Sequence, residues 1–293
     1  MPYVPDVLVA RTLFVDTISG NDIAGRRGDI LSPFLTLQAA KTAADSGDLI
    51  YVRPGSYNIT TTIMKAGVNW YIDAGATITM TGTAPNTAIF DDTGLAPSTV
   101  SIDGPGHLKY DGTGSNGSVF RMVEDGTKWF IHGLRITNTL NTGHASGFYQ
   151  LGGKSVISDC SLEIRYWGLW WENGDCTFTG NQFTTDPGGS LAGTIPVTAR
   201  GEGWVAGHLW VSCLRYEGPL QVYSPVDDPG FRVWIEAEEF VDTLIDMTGG
   251  RLYVTGMKLG ALTEGRTPIR MTGGKLWATF QKVSIGPLVA NDF

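Results

Sequence analysis

Seven residues occur twice near the end of the chain, as Met247-Thr-Gly-Gly-Arg-Leu-Tyr253 and again, 24 residues later, as Met271-Thr-Gly-Gly-Lys-Leu-Trp277. A repeat at that interval constrains the architecture more than any single residue does. Periods of roughly 20 to 50 residues mark solenoids, in which each unit buries its apolar face only by stacking on its neighbours. The unit here is strand-like, so it reads as one coil of a β-helix.

The same pattern extends towards the N-terminus. A short alternating strand runs into a turn closed by Gly, and a second apolar strand follows at once. Phe148-Tyr-Gln-Leu-Gly-Gly-Lys154, Leu169-Trp-Trp-Glu-Asn-Gly-Asp175, Ile245-Asp-Met-Thr-Gly-Gly-Arg251 and Ile269-Arg-Met-Thr-Gly-Gly-Lys275 share it, and Phe120-Arg-Met-Val-Glu-Asp-Gly126 matches with one extra turn residue. The Gly suits a turn that needs positive φ. Segments rich in β-formers follow, among them Trp129-Phe-Ile131, Cys176-Thr-Phe178, Leu209-Trp-Val211, Leu252-Tyr-Val254 and Leu276-Trp-Ala278. The turn glycines fall at 126, 153, 174, 207, 250 and 274. The interval from 174 to 207 fits a coil with a loop insertion. That from 207 to 250 fits two coils, with Phe231–Phe240 between them.

Composition agrees with one continuous repeat domain. Gly is abundant at 39 of 293 residues, as turn-dense architectures require, and only 17% of residues are charged. No apolar run is long enough to span a bilayer. The opening Met1-Pro-Tyr-Val-Pro-Asp6 has neither the basic nor the apolar region of a secretory signal. Cys160, Cys176 and Cys213 sit in strand-like segments without ligand spacing and read as buried free thiols. A net charge of −8 argues against a nucleic-acid surface, which needs clustered Lys and Arg. It also disfavours anionic membranes.

The N-terminal segment follows a different pattern. Leu13-Phe-Val-Asp16 reads as a strand and Ser19-Gly-Asn-Asp22 through Gly28 as a loop. Leu37-Gln-Ala-Ala-Lys-Thr-Ala-Ala44 reads as a helix, with Thr36 as N-cap, Leu37, Ala40 and Ala44 on one face, and Gly47 as the stop. Asp48-Leu-Ile-Tyr-Val-Arg-Pro-Gly-Ser-Tyr57 then reads as a buried strand leaving through a Pro-Gly turn. A helix before the first coil covers the open end of a solenoid, whose top layer otherwise exposes apolar side chains.

Phe14-Val-Asp16, Ser19-Gly-Asn-Asp22, Ser32-Pro-Phe34, Leu37-Gln-Ala-Ala40 and Gly47 through Tyr57 together resemble the N-terminal part of the pectate-lyase-like superfamily. Gly133-Leu-Arg-Ile-Thr-Asn138 and Thr179-Gly-Asn-Gln-Phe183 are similar to its generic repeats. The resemblance implies an all-β fold, a single-stranded right-handed parallel β-helix with a short N-terminal capping α-helix. Residues 1–62 form the strand and helix cap, and residues 63–293 one continuous β-helix. The superfamily includes polysaccharide lyases, glycoside hydrolases, phage tailspikes and inert virion proteins, so fold alone does not give activity.

The superfamily's hydrolases use clustered Asp residues and a Gly-His-Gly, because one carboxyl protonates the leaving oxygen while another activates water or attacks. Asp91-Asp92 supplies an acidic pair and Gly143-His144-Ala145 an imperfect echo of the His motif. Asp91 and Asp92 are the catalytic candidates, although Asp-Asp-Thr-Gly also reads as a plain turn. A lyase needs Ca²⁺-binding carboxylates and a base. Asp103, Asp111 and Asp125 come from one stretch of sequence, with Arg121, Lys128 and Arg135 nearby, but no spacing among them is diagnostic. His107, His132, His144 and His208 show no zinc spacing. No metal or other cofactor is expected, and calcium enters only under the lyase alternative.

The densest aromatic run is Tyr166-Trp-Gly-Leu-Trp-Trp-Glu172. Counting back from each turn Gly, Leu169 and Trp171 align with inward positions, and Trp170 aligns with Tyr149 and Arg121 on an outward strip. Arg121, Tyr149 and Trp170 are therefore candidate carbohydrate-binding or interface residues, with packing under the chain's own loops as the third explanation. The stretch from Asp186 to Gly203 departs from the repeat and reads as a long excursion, with Arg200 and Glu202 as weak binding candidates. After the last coil, Gly286 through Phe293 show no helical cap, which points to assembly.

Two functions fit these features. The first is a structural or adhesive virion protein, a phage tail, spike or decoration component, forming a homotrimer by analogy with phage β-helices. It would contact other virion proteins or a cell-surface glycan, with no nucleic acid and no membrane insertion, and would be found on the virion. The alternative is a polysaccharide lyase or glycoside hydrolase.

Overall fold

The computed structural model describes residues 11–140, 145–164, 167–172, 174–183, 195–200, 208–217, 220–223, 232–241, 245–247, 251–259, 269–272 and 275–283. Their strands form three parallel sheets of eleven, eight and five strands. Successive strands are dealt to the sheets in rotation. Thr99–Asp103 lies in the eleven-stranded sheet, His107–Tyr110 in the five-stranded one and Ser118–Met122 in the eight-stranded one. Lys128–His132 then returns to the first sheet beside Thr99–Asp103, with Trp129 opposite Val100 and Ile131 opposite Ile102. The chain is thus all-β with long parallel sheets, as a parallel solenoid requires.

Alternation makes these segments strands. In Lys128–His132, Trp129 and Ile131 are buried while Lys128, Phe130 and His132 face solvent. The inward residues stack from coil to coil. Phe90, Phe120 and Phe148 are parallel partners in the eight-stranded sheet, with ring centroids 5.4 and 5.1 Å apart. Each buried ring stabilises the fold by about 1.5–3 kcal/mol, before the conformational entropy lost on ordering it is counted. A single hydrophobic cluster runs from Leu13 to Val254, so the N-terminal segment and the coils share one core.

The described turn glycines behave as the repeat predicts. Gly126, Gly153 and Gly174 have φ of +88°, +67° and +85°. Gly207, Gly250 and Gly274 lie outside the described residues. The strand Arg232–Val241 falls between His208–Glu217 and Arg251–Leu259, so the interval from 207 to 250 holds two coils as expected. The five-stranded sheet ends at Ser161–Ile164. After it, strands of nine or ten residues extend the eleven-stranded sheet, and the described chain alternates between two sheets instead of three.

At the N-terminus, Thr12–Val15 already pairs with Leu49–Val52, so the first strand belongs to the same sheet as the coils. The α-helix spans Leu37–Ala43 and buries Leu37 and Ala40. The Thr36 hydroxyl oxygen accepts from the Ala39 N–H at 3.2 Å, as an N-cap does. The helix ends earlier than Gly47 suggested, because Ala44 is already extended. Gly47, at φ +87°, instead starts the turn into Leu49–Val52, where a Cβ would meet the Arg11 guanidinium at 2.8 Å. Buried Asp48 anchors that turn through ion pairs to Arg11 and Arg27.

Candidate functional site

The strip read from the repeat alignment is in register. Asp91 pairs with Arg121, Arg121 with Tyr149, and Tyr149 with Trp170, up one face of the eight-stranded sheet. Its surface differs from an exposed aromatic ladder. Trp170 is only 3% exposed, its ring set edge-on to Tyr149 at 6.2 Å and its indole N–H donating to Glu172 at 2.6 Å. Arg121 is half-buried, 3.7 Å from the Asp91 carboxylate and donating to the Asn86 carbonyl at 3.1 Å. Alternation fixed which way these side chains leave the strand. It carried no information on what folds over them, and in the single chain Trp170 is already covered.

Asp91 and Asp92 do not form an acid–base pair. Neighbours on an extended chain leave on opposite sides, so two adjacent carboxylates do not flank one bond. Asp91 points outward and accepts from the backbone N–H and hydroxyl of Thr93, at 2.9 and 2.5 Å, closing the turn that its sequence suggested. Asp92 points inward and is buried. It accepts from the backbone N–H groups of Val123 and Glu124 and from the indole N–H of Trp129, at 2.6, 3.2 and 3.0 Å. Burial pushes its carboxyl pKa up, against the pull of these donors. Asp92 ties one coil to the next.

The residues considered for a lyase are also separated. Asp103 ends a strand of the eleven-stranded sheet, Asp111 follows one of the five-stranded sheet, and Asp125 follows one of the eight-stranded sheet. Closeness within one coil of sequence therefore spreads them over three corners. Asp111 pairs with Lys109, and Arg135 with Glu163. Asp103 instead meets His132, whose other ring nitrogen is 3.4 Å from Asp159. No group of three metal-ligating side chains gathers among the described residues. His144, Glu202 and the end from Gly286 to Phe293 lie outside those residues. Of the excursion, only Ile195–Arg200 is described, as a strand beside Trp167–Trp171. Cys160 and Cys176 are buried free thiols, both raised to about 12 by burial.

The exposed aromatic ladder lies on the other large sheet. Trp210, Trp234, Tyr253 and Trp277 are successive partners on the outer face of the eleven-stranded sheet. Their ring centroids are 6.1, 5.3 and 4.6 Å apart, with planes 25°, 13° and 7° from parallel. The end rings, Trp210 and Trp277, are each 45% exposed. Two residues earlier on each strand, a second line climbs beside them through Lys128, Lys154, Asp175, His208, Arg232, Arg251 and Lys275. Asp175 takes ion pairs from Lys154 at 2.7 Å and His208 at 3.3 Å. Above it, three cations follow one another directly.

The sequence carried the signal for this face. Leu209-Trp-Val211 and Leu252-Tyr-Val254 bury their outer two residues, which sends the central aromatic out, and Leu276-Trp-Ala278 continues the same register. The aromatic residues at Trp167–Trp171 are dense in sequence, whereas the ladder is spread one ring per coil. No known protein family matches the chain, and no curated protein or solved structure is significantly similar to it.

Proposed function

We propose that the chain is a right-handed parallel β-helix of the pectate-lyase-like type, serving as a structural or adhesive protein of a virion tail or spike and assembling as a homotrimer. Strands dealt in rotation to parallel sheets support the β-helix, and parallel crossovers are overwhelmingly right-handed. The helix Leu37–Ala43, joined to the same core at its N-terminal end, suits a cap. The observation that carries the adhesive role is the ladder Trp210, Trp234, Tyr253 and Trp277, stacked ring on ring with its end rings exposed. Proteins seldom leave a contiguous aromatic surface in water without a partner for it. The trimer follows from the resemblance to phage β-helices.

Incubation with a panel of bacterial and algal polysaccharides tests the role. Binding without new reducing ends or unsaturated products supports an adhesin. Release of either product establishes the lyase or hydrolase alternative instead. Sedimentation at micromolar concentration tests assembly, and a clean monomer counts against the trimer.

A further inference from the structure

We propose that the N-terminal end of the three sheets docks a partner protein, which adds one extended, uncharged strand to the five-stranded sheet beside Gly55–Ile59. The aromatic ladder plays no part in this contact.

The three sheets end differently there. At the eleven-stranded sheet, Phe34 covers the outer edge of Thr12–Val15. Its N–H donates to the Phe14 carbonyl at 2.8 Å, and its carbonyl accepts from the Asp16 N–H at 2.9 Å. At the eight-stranded sheet, the Ile63 N–H donates to the Ile89 carbonyl at 2.9 Å, on the outer edge of Ala88–Asp91. Gly55–Ile59, the first strand of the five-stranded sheet, has no such cover among the described residues. The Gly55 N–H donates to the Gly75 carbonyl, and the Ile59 carbonyl accepts from the Thr81 N–H. Gly55, Tyr57 and Ile59 therefore bond into the sheet, and the alternate residues Ser56 and Asn58 aim their N–H and C=O groups at the open edge. A bare edge invites aggregation, so proteins cover edges or set Lys or Pro on them. Here two edges are covered, and the third carries Ser56, Asn58 and Thr60, exposed and uncharged.

That edge opens into a cleft of about 500 Å³, with residues 56–61 on one side and Thr17 and residues 35–38 on the other. No residue lining it is charged, so a charged side chain entering it would lose water without gaining a partner. An extended polypeptide repeats every two residues, about 6.6–6.8 Å, and presents donor and acceptor in the alternation that Ser56 and Asn58 require. On the added strand, residues beside Tyr57 and Ile59 face inwards and should be apolar, whereas those beside Ser56 and Asn58 face water. The recess disfavours a second copy pairing edge to edge, because its own Gly55–Ile59 would sit at the bottom of the same cleft.

The rim is apolar and fixed in place. Ile18 and Ile23 are 90% and 99% exposed, and Leu35, part of the cleft wall, 40%. A side chain holds the backbone N–H of each: Asp16 that of Ile18 at 2.8 Å, Asn21 that of Ile23 at 2.9 Å, and Asp22 that of Leu35 at 2.8 Å. Aliphatic side chains held out in water contribute nothing to the single chain. Fixed in this way, they bury against a partner with little further loss of backbone freedom.

Acetylated and amidated hexapeptides that alternate Val, Ile, Leu or Ala with Ser, Thr or Asn test the proposal, by fluorescence polarisation on the whole chain. Members of this library should bind, and N-methylation of alternate backbone amides in the tightest should weaken it by about tenfold. Asn58→Pro deletes an edge N–H and leaves the bonds into the sheet, and Leu35→Glu sets a charge in the cleft wall. Each should weaken the same peptide by about tenfold with the melting temperature unchanged. Leu35→Glu, at an exposed position, keeps the test should Asn58→Pro fail to fold. Amide exchange gives the direct readout: in the free protein Ser56 and Asn58 should exchange fast and Tyr57 slowly, and bound peptide should protect Ser56 and Asn58. Failure of every library member to bind overturns the proposal, as does binding indifferent to N-methylation and to the variants. Protection of Ser56 and Asn58 in the free protein at every concentration would show that the chain covers its own edge. Protection that grows with concentration would assign the edge to a second copy. Either result refutes a partner strand.

Discussion

Tyr253 and Trp277 lie face to face across one coil, centroids 4.6 Å apart and planes 7° from parallel, and they are the last residues of the two copies of the heptapeptide repeat. Met247 and Met271, the first residues, are also partners, so the repeat in sequence is a repeat in register. An exposed stack of this kind contributes about 0.5–1.5 kcal/mol per ring pair beyond the area it buries. Tyr253→Ala breaks two such pairs. It is expected to lower the urea midpoint modestly and to change the near-ultraviolet circular dichroism of the remaining Trp residues. Retention of the wild-type near-ultraviolet spectrum would show that the rings do not stack in solution.

Asp92 and Asp91 should respond differently to truncation. Asp92→Ala strands the Trp129 indole N–H in the core and leaves two part-buried backbone N–H groups without their acceptor. Each buried donor left unpaired costs about 1–3 kcal/mol, so the loss should reach several kcal/mol. Asp91→Ala removes an outward turn contact and a long ion pair to Arg121, and should cost only about 1 kcal/mol. Equilibrium urea unfolding separates the two. Equal, small losses would return Asp92 to the list of candidate catalytic acids.

The parts of this fold legible in the sequence were those with a period. Gly126, Gly153 and Gly174 mark turns because each needs a left-handed φ, and two-residue alternation puts Trp129 and Ile131 inside. Alternation also gave the strip Arg121–Tyr149–Trp170 its register. Exposure is a different property, set by whatever chain crosses over a face, and no local period reports it. Trp170 is covered for that reason. Asp103, Asp111 and Asp125 went unsorted because neighbours within one coil diverge to different corners. The ladder Trp210–Trp277 was written in the strand pattern, one ring per coil, and becomes visible only when the coils are aligned. A related repeat, Gly82-Thr-Ala-Pro-Asn86 and Gly112-Thr-Gly-Ser-Asn116, stacks two left-handed asparagines joined side chain to side chain at 2.9 Å. Its looser composition hid it.

Two glycines with similar left-handed φ should tolerate alanine unequally. Gly94 has φ +74° with nothing near its missing Cβ, so Gly94→Ala costs only the left-handed penalty of about 1–2 kcal/mol. Gly153 has φ +67°, and a Cβ there would come within 2.6 Å of the Thr127 carbonyl oxygen in the coil below. Gly153→Ala must add displacement of a neighbouring strand to the same penalty. Thermal unfolding should show the second variant well below the first. Similar melting temperatures would mean that the coils are spaced more loosely than this geometry.

Acid and neutral pH should probe two separate corners of the molecule. His132 bridges Asp103 and Asp159, and the hydrogen bond to Asp103 raises its pKa against slight burial. A raised histidine binds its proton more tightly in the folded state, so its contribution is fully present below the unfolded pKa of about 6.5 and lost as pH rises through the folded value. With 56% of its side chain exposed, the contribution is small. Asp16 behaves oppositely. Burial works against its charge, but the Ile18 N–H, the Ser19 hydroxyl and Arg53 outweigh it and lower the pKa to about 2. That stability is present above the unfolded value of about 3.9 and disappears as pH falls through about 2. His132→Gln should therefore flatten the stability profile between about pH 6 and 8, and Asp16→Asn should flatten it only below about pH 4. Urea midpoints measured across both windows distinguish the two effects. A profile that His132→Gln leaves unchanged in the neutral window would show that its carboxylate partners do not hold it in solution.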